Sequence, residues 1–486
     1  MRVFLINWGS KEQELSGVAK DLEKNSHEVV YWVRSNRHFK VDKSEFPNTI
    51  FHDYHDALNG LPAEDKNLSD FPPIGEELLK KLSNLESLTM DMMERDFFDK
   101  TLQEKKYLYF DYVRYWYGVL QKYKPDVIIF PFLPHRCFDF VIYYLAKFLG
   151  IKTMLFELPA MDISRLMVME DFQEGSPKLK EFLNNNERDR TLDDLSQEFQ
   201  DYYKKQVDGA SDVTPLSTVI RRRKHTGSKV IFRKIKNALK SIFDLSFFSK
   251  TFYNLKKAFL VMFKNTPRKE YAKFQVNVDF GKKYIYIPLH YQPERTTSPA
   301  GGIFTNQILM IEMLSFVLPK DWLIYVKEHP SQWLAGRSVE FSPYRPEGYY
   351  EKIAKIPNVY LAPVNTSSIK MVKNAQVVAS VQGTASWEAV LRSKPAIISG
   401  HPWYQNCQGV HIVKDTKTAQ EVMDKILLSN AAATKTDIIN FLWALDSSTS
   451  NCYLNPSGRM VSELAPKQNR SNVTNALLEE LKNIKL

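Results

Sequence analysis

The residues whose types and spacing best suit chemistry in this 486-residue chain are Gln382-Gly383-Thr384-Ala385-Ser386-Trp387-Glu388. An apolar run, Gln376 to Val381, precedes them and is short enough for a buried strand. Trp387 to Leu391 reads as the start of a helix. A glycine and two small hydroxyl residues at such a turn point backbone N–H groups, and the positive end of a helix, at a phosphate. Glu388 falls about one turn into the helix, where a carboxylate can accept hydrogen bonds from a ribose. The same pattern also fits an ordinary strand–turn–helix in which Thr384 or Ser386 only caps.

Three neighbouring segments bear on that choice. Lys283–Leu289, Trp322–Lys327 and Asn358–Leu361 read as strands, and each runs into a polar loop. Those loops carry Gln292, Glu294 and Arg295, then Lys327, His329 and Pro330, then Ser367 and Ser368. In a parallel sheet with helical crossovers the C-terminal ends of the strands share one edge. A guanidinium, an imidazole, several hydroxyls and a helix start would then meet there, which suits the phosphate and ribose of a nucleotide. Cations and a helix N-terminus can stabilise a leaving phosphate without a metal. No Asp-x-Asp pair stands at a strand end, so neither a metal nor a cofactor is expected. Two further strands, Pro395–Ser399 and Val410–Val413, complete this unit.

The first half has the same rhythm. Arg2–Asn7, Glu12–Lys24 and His27–Val33 read as strand, helix and strand, which points to a parallel sheet. Ser35 to Pro73 is loop-rich, and Glu76 to Lys122 is helical. Val127–Phe130 and Ile151–Glu157 are buried strands with a helix, Phe138–Phe148, between them. The loops at their ends carry His135, Glu157, Asp162 and Arg165, the candidate catalytic residues of this half. Each also reads as an ordinary loop-surface residue.

Composition bounds what these sites belong to. Hydrophobic residues at 44% and charged residues at 25% describe a soluble globular chain of two or three domains. The expected division is 1–210, 211–280, 281–430 and 431–486: a first α/β domain, a basic linker, a nucleotide-type α/β domain and a helical tail. The net charge of +10 is concentrated between Arg221 and Lys273, where the only acids are Asp244 and Glu270. Phe232, Ile235, Leu239, Ile242 and Phe243 recur there at helical spacing. A basic, aromatic-rich amphipathic segment suits an anionic membrane surface; it also suits a linker packed on a domain with its lysines solvated. No nucleic-acid-binding motif accompanies it, so nucleic acid is not expected as a partner. The apolar part of the N-terminus is short for a signal peptide, and Cys137, Cys407 and Cys452 have no metal-ligand spacing. A cytoplasmic protein, peripheral at the inner face of the membrane, is the expectation.

His290-Tyr291-Gln292-Pro293-Glu294, Val326-Lys327-Glu328-His329-Pro330, Asn365-Thr366-Ser367-Ser368 and Gln382 to Ala389 resemble the bacterial capsule polysaccharide biosynthesis family, which includes the Kdo transferases of capsule assembly. The Lys-x-His-Pro element followed by a Ser/Thr element is also similar to the paired motifs of bacterial sialyltransferases. The match covers about Lys283 to Val413. It implies a GT-B-like glycosyltransferase with two Rossmann-like domains facing a cleft, the first of which takes the acceptor. The donor would be nucleotide-activated, CMP-linked for preference, and the acceptor a glycan or a lipid-linked glycan. By this resemblance His329 and Pro330 hold the nucleotide, Ser367 and Ser368 its phosphate or ribose, Gly383 and Thr384 cap the phosphate, and Glu388 meets the ribose. Ser386-Trp387 and His401-Pro402-Trp403-Tyr404 depart from the family pattern. A sugar-nucleotide epimerase, a glycerol-phosphate transferase and a non-catalytic nucleotide-sugar sensor also fit the scaffold. The basic segment generates a separate expectation: neutralising Arg221, Arg222, Arg223 and Lys224 lowers binding to anionic vesicles in a flotation assay, and equal binding argues against membrane docking.

Overall fold

A computed structural model describes residues 1–9, 15–35, 41–185, 189–208, 266–292, 294, 297–333, 344–429 and 431–484. The apolar runs read above become strands: β1 (Arg2–Leu5), β2 (Glu28–Arg34), β3 (Ile50–Asp53), β4 (Val127–Phe130), β5 (Lys152–Glu157) and β6 (Arg165–Met169) in the first half. The second half supplies β7 (Lys283–Pro288), β8 (Trp322–Lys327), β9 (Val359–Leu361), β10 (Val377–Ser380), β11 (Ala396–Ile398) and β12 (Val410–Ile412). A two-residue strand, β13 (Ser450–Asn451), follows. They form two sheets, ordered β13-β6-β5-β4-β1-β2-β3 and β12-β11-β10-β7-β8-β9. Every pairing is parallel except β5–β6 and β6–β13. All four residues of β4 are buried, as a strand covered by helices on both faces requires. This is the α/β, two-sheet architecture that the resemblance implies.

Three strands, β3, β6 and the short β13, were not legible as strands. β3 is an edge strand set in the loop-rich stretch and pairs only with β2. β6 takes Arg165 out of the loop in which the sequence placed it and turns Leu166 and Met167 into the core. The domain limits also shift. The helix Lys435–Ser448 puts Phe441, Leu442 and Leu445 into the first domain's core, β13 joins its sheet, and the helix Pro466–Asn483 adds Val473, Leu477 and Leu481. Arg470 clamps Asp21 on the helix Leu15–Lys24 at 2.6 and 2.9 Å. The expected tail is therefore part of the first domain.

The end of the basic segment is corrected in the same way. Thr266 caps a helix, Pro267–Phe274, whose Tyr271 is buried, and Val276 N–H bonds Leu361 O at 2.8 Å. Glu270, one of the two acids of that segment, accepts the N–H groups of Gly348, Tyr350 and Glu351 and so caps the helix Tyr349–Ala354. This part belongs to the second domain; residues 209–265, with most of the predicted membrane-facing charge, lie outside the described residues. No helix among the described residues is long and apolar enough to cross a membrane.

A chain ending at residue 430 tests the closing segment. It strips six large side chains from the first domain's core, each worth about 1.5–3 kcal/mol of burial, against a net stability of about 5–15 kcal/mol. The expected product is insoluble or protease-sensitive, without cooperative thermal unfolding by near-UV circular dichroism. A soluble, cooperatively unfolding chain would contradict the packing.

Candidate nucleotide cleft

In the second sheet β8 and β9 lie to one side of β7, and β10, β11 and β12 to the other, so the strand order reverses between β7 and β10. Helices leave the two strands in opposite directions there, and a crevice opens above their C-terminal ends. Two loops meet at that point. His290, two residues past β7, accepts the Gln382 N–H on Nε2 at 3.2 Å and donates from Nδ1 to Glu294 at 3.2 Å. Thr297 donates a second bond to the same carboxylate oxygen, at 2.8 Å. The ring is thereby held in one orientation with its proton on Nδ1. A cleft of about 1240 Å³ lies over these loops, with Leu133, Glu157, Ala160, Met169 and Phe172 of the first domain as its far wall.

The turn after β10 is built from small hydroxyls. Gly383 N–H donates to Ser380 Oγ at 2.8 Å, Ser380 and Ser386 hydroxyls bond at 2.7 Å, and Tyr404 donates to Gly383 O at 2.5 Å. The amide of Gly383 and the hydroxyl of Ser386 are thus bonded within the turn itself; Gly383 lines the cleft, and Ser386 is buried beneath it. Gly383 serves by its size: a Cβ there would lie 3.3–3.4 Å from Ser380 and the His290 ring. Thr384 and Ala385, the first residues of the helix Thr384–Val390, have no intrahelical acceptor for their N–H groups, and both line the cleft. Glu388, four residues after Thr384, shares that face. Trp387 faces the other way, donates to the Tyr202 hydroxyl at 2.9 Å and packs on Trp403, Tyr404 and Phe441. The departure at Ser386-Trp387 is therefore a matter of domain packing.

The loops after β8 and β9 form the other end of the cleft. Lys327 bridges them, donating to Thr366 O and Ser368 Oγ, each at 2.7 Å. Ser367 caps the helix Ser368–Asn374 through the Lys370 N–H. His329 takes the Ser331 N–H on Nδ1 at 3.0 Å, so its neutral ring carries the proton on Nε2. Lys327, His329, Pro330, Ser367 and Ser368 all line the cleft, as do Glu294 and Gln382. Beneath them Glu328 and Arg345 form an ion pair, Nε to Oε2 at 2.7 Å, with side chains 0% and 2% exposed. Glu328 also accepts the His329 N–H at 2.7 Å and the Tyr350 hydroxyl at 2.5 Å, and Arg345 donates to His290 O at 3.0 Å. Burial alone would lower the Arg345 pKa, but Glu328 beside it reverses the shift and holds it up.

Glu157 is the one catalytic candidate among the four that lines the cleft. Burial in an apolar wall pushes its carboxyl up to about 7, and no opposing charge offsets this. The side chain keeps some exposure to the open cleft. His135, Asp162 and Arg165 do not line it. His135 Nδ1 is tied to Leu133 O at 2.9 Å, and Asp162 pairs with Lys205 at 2.7 Å. Arg165 pairs with Glu198 at 3.0 Å and Asp446 at 3.1 Å. Gln292 is buried and bonds Gln332 beside the cleft, and Arg295 lies outside the described residues. Sequence reasoning left out Arg345, Arg268, His290 and His401 as site residues. Arg268 and His401 line the cleft, the former from the helix Pro267–Phe274. Of these, only the strand-end positions of His290 and His401 gave a signal. No group of three or more His, Cys, Asp or Glu suited to a metal occurs among the described residues.

No family model matches the chain, and no curated protein matches it. Solved structures similar to it include UDP-GlcNAc 2-epimerase from Neisseria meningitidis bound to UDP-GlcNAc, at 12% identity and a TM-score of 0.25, covering 100% of both chains. Another is the β-Kdo 2,7 transferase of Thermosulfurimonas dismutans KpsC, at 12% identity and a TM-score of 0.32, covering 79% of this chain and 95% of that one. A glycosyltransferase from Rickettsia africae, at 10% identity and a TM-score of 0.26, covers 99% and 98%. At these values nothing about function follows from them.

The buried pair generates its own test. Arg345→Met leaves Glu328 charged and unpaired, and should destabilise the protein by about 3–5 kcal/mol, while adding Glu328→Gln should recover part of the loss. Urea unfolding of the two single variants and the double measures the coupling. Additive effects would mean that the pair does not act as a unit.

Proposed function

We propose that this chain is a glycosyltransferase of bacterial surface polysaccharide biosynthesis, transferring a sugar from a nucleotide-activated donor to a glycan or lipid-linked glycan. The observation that carries the reading is the pairing, across one cleft, of an apolar-shielded carboxylate with a polar wall at the strand-order reversal. In this reading the donor's phosphate meets the N–H groups of Thr384 and Ala385, and Glu388 meets its ribose. Lys327, His329, Ser367 and Ser368 hold the remainder of the nucleotide. The nucleotide is CMP for preference, carrying Kdo or another nonulosonic-type sugar, by the resemblance of the Lys-x-His-Pro and Ser/Thr elements. The basic stretch 221–265 brings the enzyme to an anionic membrane surface on the cytoplasmic side.

Glu157 is the general base. An acceptor hydroxyl gives its proton to the carboxylate as its oxygen forms the new bond to the anomeric carbon. The bond from that carbon to the donor phosphate breaks, and its electron pair leaves with the nucleotide. A base whose pKa lies near the working pH combines sufficient ionisation with sufficient proton affinity. The leaving phosphate is stabilised by fixed N–H dipoles.

The test has two parts. A thermal-shift screen of CMP-, UDP- and GDP-linked ligands reads donor class, since a ligand bound only to the folded state raises its melting temperature by mass action. Product analysis with the ligand that binds reads the reaction; a free epimerised sugar or a transferred phosphodiester would overturn glycosyl transfer. Glu157→Gln should lower kcat about 10²–10⁴-fold and leave nucleotide affinity unchanged. Wild-type kcat should rise with pH through about 7 as Glu157 ionises. The sign for stability is opposite. A carboxyl whose folded pKa is raised loses stability as pH rises from its unfolded value through the folded one. Glu157→Gln should therefore gain stability over wild type at pH 8 and little at pH 4.

A further inference from the structure

A second cavity, of about 360 Å³, lies where the helix Ser83–Asp96 of the first domain meets the second domain. Its walls come from Asp91, from Thr305 to Ile308, and from Tyr344 to Tyr349 with Lys352. The volume falls at the lower end of the ~300–1,000 Å³ typical of small-ligand sites.

Two of its lining side chains are buried with a polar atom that has no partner among the described residues. Gln307 is 1% exposed and its amide Nε2 is unmatched; Tyr349 is 8% exposed and its hydroxyl is unmatched. A buried donor left without an acceptor costs about 1–3 kcal/mol, so a group of this kind is satisfied by an ordered water or by a ligand when no protein group meets it. The charge of the walls narrows what that molecule is. Arg345 is committed to Glu328, and Lys352 stands 3.7 Å from Glu312. Asp91 and Glu347 outweigh Lys352, the lining cation not held in a buried pair, so the charge of the cavity does not favour a phosphate. Ile308, Pro346 and the Tyr349 ring supply apolar surface beside these hydrogen-bonding groups.

We infer that this cavity is a second binding site, taking a neutral, hydroxyl-rich ligand the size of one sugar residue. Its hydroxyls meet the Gln307 amide, the Tyr349 hydroxyl and the Asp91 carboxylate. The site adjoins the nucleotide cleft through one residue. Gln307 Oε1 accepts the His290 N–H at 2.7 Å, and Arg345 donates to His290 O at 3.0 Å. Both ends of the residue that fixes the Gln382 turn are therefore held from the second cavity. The inference does not depend on glycosyl transfer.

Saturation-transfer NMR on the full chain tests it, with glucose, galactose, N-acetylglucosamine and one disaccharide as probes and CMP as competitor. The expected result is saturable binding of at least one sugar that excess CMP does not displace. Tyr349→Phe should weaken that binding about threefold to tenfold, while the melting temperature without sugar is at or above that of wild type, because the variant loses no protein partner and removes an unmatched buried hydroxyl. Asp91→Asn should weaken it as well. Tighter binding of the disaccharide would mark a glycan chain as the source, and equal binding a free sugar. The inference is overturned if no sugar binds saturably, which leaves the cavity to water. It is equally overturned if CMP displaces the sugar or if both variants bind as wild type does. Failure of every nucleotide to bind, with the sugar results intact, would remove the cleft reading alone.

Discussion

The loops that leave β7 and β8 at the cleft are tied together by the ion pair between Glu328 and Arg345. Strand β8 ends at Lys327, and the next residue is a carboxylate with no access to water. An isolated buried charge is too costly to keep, and it persists here only because a guanidinium meets both of its oxygens, at 2.7 and 3.3 Å. The pair then organises what surrounds it. Glu328 fixes the His329 amide, Tyr350 donates into it, and the same guanidinium reaches back to His290 O beyond β7. Three segments distant in sequence are locked together at the point where the sheet reverses its strand order. A polar network of this kind is stable when complete and fragile when one member is missing.

The helix Thr384–Val390 shows how the cleft and the domain contact constrain each other. Its Thr384 and Glu388 face lines the cleft, while Trp387 sits in the apolar core that joins the two domains. Tyr202 of the first domain's helix Gln197–Asp208 and Phe441 of the returning chain complete that core. A change in how the domains pack therefore moves the helix that carries the nucleotide-facing N–H groups. The far wall depends on the same contact, since Glu157 reaches the cleft only from the first domain. Its raised pKa comes from burial, in a wall to which Leu133, Ala160, Met169 and Phe172 also belong.

Much of this was legible in the chain itself, because a buried parallel strand must be apolar on both faces and its loop must be polar. β8, β9 and β10 are short runs followed by polar loops, and the segments after them carry His329, Ser367, Thr384 and Glu388 to the cleft. β3 and β6 were missed because edge position and antiparallel pairing leave a weaker pattern. Arg345 gave no signal at all: it sits in a polar stretch, and only the folded chain brings it to Glu328.

The order of apolar runs thus determined two α/β units and the strand ends that share an edge, since burial sets which residues a strand can hold. The tertiary structure alone decided the division of labour at those ends. Asp162 and Arg165 are drawn into ion pairs elsewhere, Gly383 and Ser386 spend their hydrogen bonds on their own turn, and the last 50-odd residues return to the first domain. Which partner satisfies a buried charge or N–H group depends on distances between segments far apart in the chain, and local sequence does not contain those distances.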